Sequence, residues 1–257
     1  MLAPNRTAAF APTLGQQGAR YEPAKLNWIG SLNNDVGVMQ VWANVPVKTI
    51  ADARKTEVVI GATSPLTDSQ EYPTLLNNTL GTRFKMVLGY KSMPALQNSM
   101  EAGEVQGAEN SFLGMEEKFP QWRDRIHVLV QLSLSKHPRL PDVPLVFDVI
   151  KPEFVVPGLS VDEVETMWRI ILTQQVVGRP YVVGPGVPPE RVKALRTAFH
   201  QVLADPAFVD DAAKARLDIQ PLDGDEIQRM IAAVAAAPPA TVEKLRQLIV
   251  HKGEQGR

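Results

Sequence analysis

Between Glu57 and Asn110 the spacing of apolar residues switches back and forth between two periods. Glu57-Val-Val-Ile60 is a β-branched run, followed by the polar loop Gly61-Ala-Thr-Ser-Pro-Leu-Thr-Asp68. Tyr72, Leu75, Leu76 and Leu80 then recur at helical spacing, and Gly81 stands where a left-handed cap ends a helix. Phe84-Lys-Met-Val-Leu88 reads as a second buried strand, and Gly89-Tyr-Lys-Ser-Met-Pro94 as a second polar loop. Leu96 and Met100 mark a helix that ends before Gly103, and Val105 opens a third strand. Strands alternating with helices across short joints predict a parallel sheet, which binds ligands at the carboxyl ends of its strands beside helix N-termini. Both polar loops therefore face one crevice.

Outside this block, Asn27-Trp-Ile-Gly30 and Val36-Gly-Val-Met-Gln-Val-Trp42 are strand candidates on either side of the turn-forming Asn33-Asn-Asp35. The block runs to about Phe119, Ile126-His-Val-Leu-Val-Gln-Leu132 is the strand that leaves it, and Pro138 to Pro144 is a proline-rich connection. Val164, Met167, Trp168, Ile171 and Leu172 give Val161 to Gln174 a helical period, although its apolar end also fits a strand. Pro188-Pro-Glu190 opens a helix with Val192, Leu195, Phe199, Val202 and Leu203 on one face, stopped by Asp205-Pro206. Phe208 to Leu217 follows, and Ile219-Gln-Pro221 reads as a strand end. Asp223-Gly-Asp-Glu226 is expected to cap a helix carrying Ile227, Met230, Ile231 and Val234. After Pro238-Pro239, a closing helix bears Val242, Leu245, Leu248 and Ile249, while residues 1 to 25 read as an irregular arm. The αβ block is thus an island entered and left by strands of another region, the topology of two lobes that close on a ligand by hinge motion.

Composition narrows the function. The 257 residues allow one large domain or two small ones, and 27 basic against 28 acidic side chains leave no electrostatic footprint for nucleic acid or an anionic membrane. Without cysteine there are no disulfides, thiolate nucleophiles or thiolate metal sites. No apolar run nears the roughly 20 residues that span a bilayer, and the first residues lack the apolar core of a secretory signal. A Gly-x-Ser-x-Gly elbow is missing, and His127, His137, His200 and His251 have no metal-ligand spacing, so neither side-chain catalysis nor a metal or other cofactor is expected. Acids at Glu101, Glu104, Glu109, Glu116, Glu117, Asp162, Glu163 and Glu165 read as solvated faces and helix ends. Thr63, Ser64, Thr67, Asp68 and Ser69 suit simple turn and N-cap chemistry. Two such loops in succession, the second holding Lys91, also suit an anion pocket; a glycine-rich nucleotide cradle is absent.

Several short motifs occur in a particular order: Tyr21-Glu-Pro-Ala-Lys-Leu-Asn-Trp-Ile-Gly-Ser31, Pro46-Val-Lys-Thr49, Val59-Ile-Gly-Ala-Thr63, Leu80-Gly-Thr-Arg-Phe-Lys85, Gly89-Tyr90, Glu101-Ala-Gly-Glu-Val-Gln-Gly107, Leu140-Pro-Asp-Val-Pro144, Pro185-Gly-Val-Pro188 and Leu203-Ala-Asp-Pro206. From about Leu14 to Leu248 the chain resembles the Bug family, extracytoplasmic solute receptors of tripartite tricarboxylate transporters. The resemblance implies an α/β, type II periplasmic-binding-protein fold of two lobes with a ligand cleft, the first lobe incomplete and discontinuous (1–40 and 126–257), the second lobe spanning 41–125. It implies a monomeric, periplasmic, non-catalytic receptor that captures a small organic anion, a carboxylate, and hands it to membrane permease subunits. Relatives carry a signal peptide and a further strand-helix-strand segment ahead of the matching part, so it also implies truncation; expressed as written, the chain is expected to be cytoplasmic. The ligand contacts it implies are Thr63, Ser64, Thr67, Asp68, Tyr90, Lys91, Ser92 and Asn110. Two departures stand out: Thr63-Ser-Pro-Leu-Thr67 replaces a glycine-containing loop, with Pro65 lacking an N–H and Leu66 adding bulk, and Tyr90-Lys-Ser-Met93 has lost its glycine. A sensor domain or enzyme on the same scaffold, or a remnant that binds nothing, are the alternatives.

Overall fold

The computed structural model describes residues 1–3, 10, 12–13, 19–65, 67–118, 120–122, 124–215, 217 and 219–249. Leu66, Phe119, His251 and, within the arm expected at 1–25, residues 4–9, 11 and 14–18 lie outside the described residues. The strands are β1 (Asn27–Ser31), β2 (Gly37–Trp42), β3 (Val58–Gly61), β4 (Phe84–Val87), β5 (Gly107–Ser111), β6 (Ile126–Leu132), β7 (Pro180–Val183) and β8 (Leu222–Asp223). The helices are α1 (Ile50–Ala53), α2 (Asp68–Leu80), α3 (Met93–Glu101), α4 (Phe112–Lys118), α5 (Val146–Val149), α6 (Val161–Val176), α7 (Pro189–Leu203), α8 (Pro206–Lys214), α9 (Gly224–Ala235) and α10 (Pro239–Ile249). They form two compact units, Met1–Asp35 with Arg169–Pro238 and Val36–Trp168 with Pro239–Arg257. Among the described residues no helix is long and apolar enough to cross a membrane.

The second unit is built on a five-stranded sheet ordered β4-β3-β5-β2-β6. β3 runs parallel to β4 and β5, as the alternating pattern predicts, while β2 is antiparallel to both β5 and β6 and makes the sheet mixed. Tyr72, Leu75, Leu76 and Leu80 are fully buried on α2, and Gly81 takes φ +68° at its end. β4 corrects one expectation. It is an edge strand, so only Phe84 is buried and Val87 is 37% exposed. α6 is helical to Val176, which excludes the strand alternative for its apolar end.

α10 packs on α2 through two amides that satisfy its last carbonyls: Gln70 Nε2 donates to Ile249 O at 2.9 Å and Asn78 Nδ2 to Leu248 O at 2.7 Å. Lys244 of α10 also pairs with Glu163 at the start of α6. The Lys244 hydrogen bond, followed by the Ser160 N–H, holds the Glu163 carboxyl below its ordinary value. A carboxylate depressed in the folded state contributes stability above its unfolded pKa of about 4.3 and loses it as pH falls through the folded value. Melting temperatures of wild type and Glu163→Gln should therefore converge on acidification from about pH 6 to about pH 3. A constant gap over that range would show that the pair contributes nothing pH-dependent.

The first unit holds the antiparallel sheet β7-β1-β8. Ile29, Val183 and Val192 form its core with Tyr181, Val187, Leu195 and Phe199 packed around them. Gly30 makes this packing possible, since a Cβ there would lie 2.4 Å from the Phe199 ring. Such a small sheet cannot cover all of α7, and Val202, expected on the buried face, is 49% exposed. The strand end expected at 219–221 falls slightly later, at β8. Asp223 sits at the N-cap of α9 as expected, but its side chain makes no cap bond; the carboxylate lies 3.3 Å from His200 instead.

Candidate functional site

The carboxyl ends of β3, β4 and β5 lie at one end of the second unit's sheet, because the three strands are parallel neighbours. The loops leaving β3 and β4 are stitched together by main-chain bonds: Ala62 N donates to Val87 O at 2.9 Å, Gly89 N to Thr63 O at 3.0 Å and Tyr90 N to Ala62 O at 3.4 Å. Thr63, Thr67 and Ser69 form a hydroxyl cluster, with Thr67 Oγ1 2.9 Å and Thr63 Oγ1 3.1 Å from Ser69 Oγ. Thr63 N donates to Ser69 Oγ at 3.2 Å, and Thr67 Oγ1 donates to Ser64 O at 2.7 Å. These hydroxyls hold the loop's shape. Thr67 occupies the N-cap of α2 without capping it, whereas Ser92 caps α3 by accepting from Ala95 N at 3.3 Å.

The structure thus brings Thr63, Ser64, Thr67 and Asp68 on one loop beside Tyr90, Lys91 and Ser92 on the next, with Asn110 on the adjoining β5. Asp68 Oδ1 accepts from the N–H of Ser69 at 2.9 Å, an N-terminal turn of α2. Tyr90 is a wall element: its ring approaches to 3.2 Å from where a Gly61 Cβ would be. Lys91 is exposed, and Asn110 is 6% exposed on the α3 side of the sheet. Among the described residues, nothing accepts from the N–H groups of Ser64, Lys91 or Ser92. Open N–H groups beside two helix N-termini, next to an ammonium, make a local field that attracts an acceptor-rich anion.

Gln40 and Gln97, both buried carboxamides, escaped the sequence reading. The one signal available was a glutamine inside the apolar run Val38-Met-Gln-Val-Trp42. A cavity of about 950 Å³ in the first unit was not foreseen either; Lys25, Asn27, Lys193, Arg196 and His200 are among its lining, and none of the predicted contacts is. Arg196 there pairs with Asp225, and Lys25 with Glu22 at 2.7 Å. His127 lies half-buried in β6, and His137 is buried against the Phe112 ring. No cluster of His, Asp and Glu suited to a metal ion occurs among the described residues.

No protein-family model and no curated protein matches the chain. Solved structures do. A TctC solute binding protein from Polaromonas, solved without ligand, is 16% identical with a TM-score of 0.68 over 96% of this chain and 76% of that one. The periplasmic binding protein BugD is 16% identical with a TM-score of 0.59 over 96% of this chain and 77% of its own. MatC from Rhodopseudomonas palustris, with bound malate, is 17% identical with a TM-score of 0.55 over 95% and 76%. The chain accordingly has the α/β fold of two-lobed periplasmic binding proteins. Within that class, a TctC solute binding protein and BugD are among the structures it matches, in line with the family its motifs resemble.

Proposed function

We propose that this protein is a non-catalytic solute receptor of the Bug family that captures a small carboxylate at the carboxyl ends of β3, β4 and β5. The observation that carries the reading is the pair of stitched loops, which leave the N–H groups of Ser64, Lys91 and Ser92 open beside the starts of α2 and α3. A carboxylate suits them because it only accepts hydrogen bonds, and the Lys91 ammonium adds a charge-assisted one. Pro65 narrows the choice of donors, since it has no N–H. Malate bound in the MatC structure supports the same class of ligand for this chain, and the solute-binding description of the Polaromonas protein supports the receptor role. On this reading the receptor is a periplasmic monomer that delivers its solute to the permease of a tripartite tricarboxylate transporter.

Titration calorimetry against a panel of mono-, di- and tricarboxylates tests the proposal. One member should bind, stabilising the fold by about 2.7 kcal/mol at a hundredfold excess over its Kd. Lys91→Ala should weaken that binding by about 1.5–3 kcal/mol if the ammonium touches the carboxylate. Equal affinities would make Lys91 a solvated bystander, and silence across the panel would defeat the receptor reading.

A further inference from the structure

The α3 side of the second unit's sheet carries polar side chains where an apolar interior is the rule. Register fixes their positions. Val38 faces Asn110 and Gln40 faces Ala108 across the β2–β5 ladder, so Gln40 and Asn110 are diagonal neighbours on one face, about 7–8 Å apart. Gly61 pairs with Ala108 in the same row, and Leu96 of α3 fills the space above it, its Cδ1 lying 2.0 Å from where a Gly61 Cβ would be. Trp42, two residues beyond Gln40, donates through Nε1 to Met100 O of α3. α3 therefore crosses the row that holds Gln40. Gln97, between those two contacts and 2% exposed, belongs to the buried side of the helix.

Gln40 is 0% and Asn110 6% exposed. Gln40 Nε2, Gln40 Oε1, Gln97 Oε1 and Asn110 Nδ2 are buried, and no described residue hydrogen-bonds to them. Leaving all of them unsatisfied would rival the net stability of a domain. The neighbouring Gln131 shows what a structural carboxamide looks like on this face. It stands opposite Val38, donates to Leu140 O at 2.9 Å and Val143 O at 2.7 Å, and accepts from His137 N at 2.8 Å. Its partners are all built into the fold, and those of Gln40, Gln97 and Asn110 are not.

We propose that Gln40, Gln97 and Asn110 form a site for a hydroxyl group, set behind the anion-binding loops. The orphaned atoms are two donors and two acceptors, and their complement must both give and take hydrogen bonds. A carboxylate only accepts and an ammonium only donates, which leaves an oxygen bearing hydrogen. That oxygen belongs either to an ordered water, whose two hydrogens and two lone pairs match all four atoms, or to the alcohol of a bound hydroxy acid, whose single hydrogen serves one of the two acceptors. The second source rests on the receptor reading above, and Asn110, nearest the carboxyl ends of the strands, is the residue that would meet it. In that case the site discriminates between a hydroxy dicarboxylate and its deoxy counterpart.

Crystals of the whole chain, free and soaked with malate, and calorimetry with malate and succinate test the site. A ligand alcohol predicts that malate binds about tenfold tighter than succinate and that Gln40→Leu removes the preference. A water predicts equal binding and an ordered oxygen about 2.7–3.2 Å from at least two of the carboxamides in the free crystal, lost in Gln40→Leu. If Gln40→Leu does not fold, Gln97→Met, which conserves volume, reads the same oxygen and the same preference. The proposal is overturned if the three carboxamides bond to one another or to protein groups with no oxygen among them. Should neither acid bind, the oxygen in the free crystal alone decides this site, and the receptor reading stands or falls on the wider carboxylate panel.

Discussion

Trp168→Ala is expected to lower the unfolding free energy by about 3–5 kcal/mol, a large share of the roughly 5–15 kcal/mol that holds a domain together. The indole is fully buried, tilted against Tyr72 at 6.2 Å, and its Nε1 donates to Thr79 Oγ1 at 3.4 Å. Both partners are on α2, so truncation opens a cavity between α6 and α2 and strips a donor from a buried hydroxyl. Trp168→Phe keeps much of the volume and should recover most of the loss. Urea denaturation followed by circular dichroism measures the difference, and a cost below about 1 kcal/mol would show that α6 does not rely on this packing.

Gly107→Ala should be the next most damaging change, at about 1–3 kcal/mol. A Cβ at Gly107 would lie 2.3 Å from Gln40 O, 2.9 Å from Val41 Cγ1 and 3.0 Å from Ile60 Cδ1. Its nearest neighbour is a main-chain oxygen, which can move only by opening the β2–β5 ladder. At Gly61 the nearest atom is Leu96 Cδ1, the far end of a side chain that can turn away. Gly61→Ala should therefore cost less than Gly107→Ala in the same denaturation experiment, and the reverse order would mean that the ladder yields more easily than the α3 packing.

Much of this arrangement was legible because local periodicity reports burial directly. Tyr72, Leu75, Leu76 and Leu80 repeat at 3.6 because they share one fully buried stripe of α2, and Gly81 marks its end because only glycine takes φ +68° without cost. Position within a sheet has no such local trace. Phe84 to Val87 is as apolar as an interior strand, yet the order β4-β3-β5-β2-β6 leaves it at the edge. Asp223 fits a capping pattern, but its partner, His200, lies on a different helix. At the candidate site, the succession of loops located the predicted residues at one end of the sheet. Which N–H groups stay open depends on bonds between loops, such as Gly89 N to Thr63 O, that neither loop encodes alone. Gln40 was hidden for a related reason: one polar residue barely perturbs the apolar pattern of β2.

The bonds that fasten Ala62 and Thr63 to Val87, Gly89 and Tyr90 run between main-chain atoms. Apart from a proline, which removes a donor, or a side chain at Gly89, whose φ is +106°, substitutions leave those atoms in place, so the other residues of both loops can change without releasing the fastening. A lineage built on this core can exchange the chemistry of its loops one substitution at a time, starting at every step from a protein that still folds. Change along that path renews the lining and keeps the frame, so sequence likeness fades long before the architecture does.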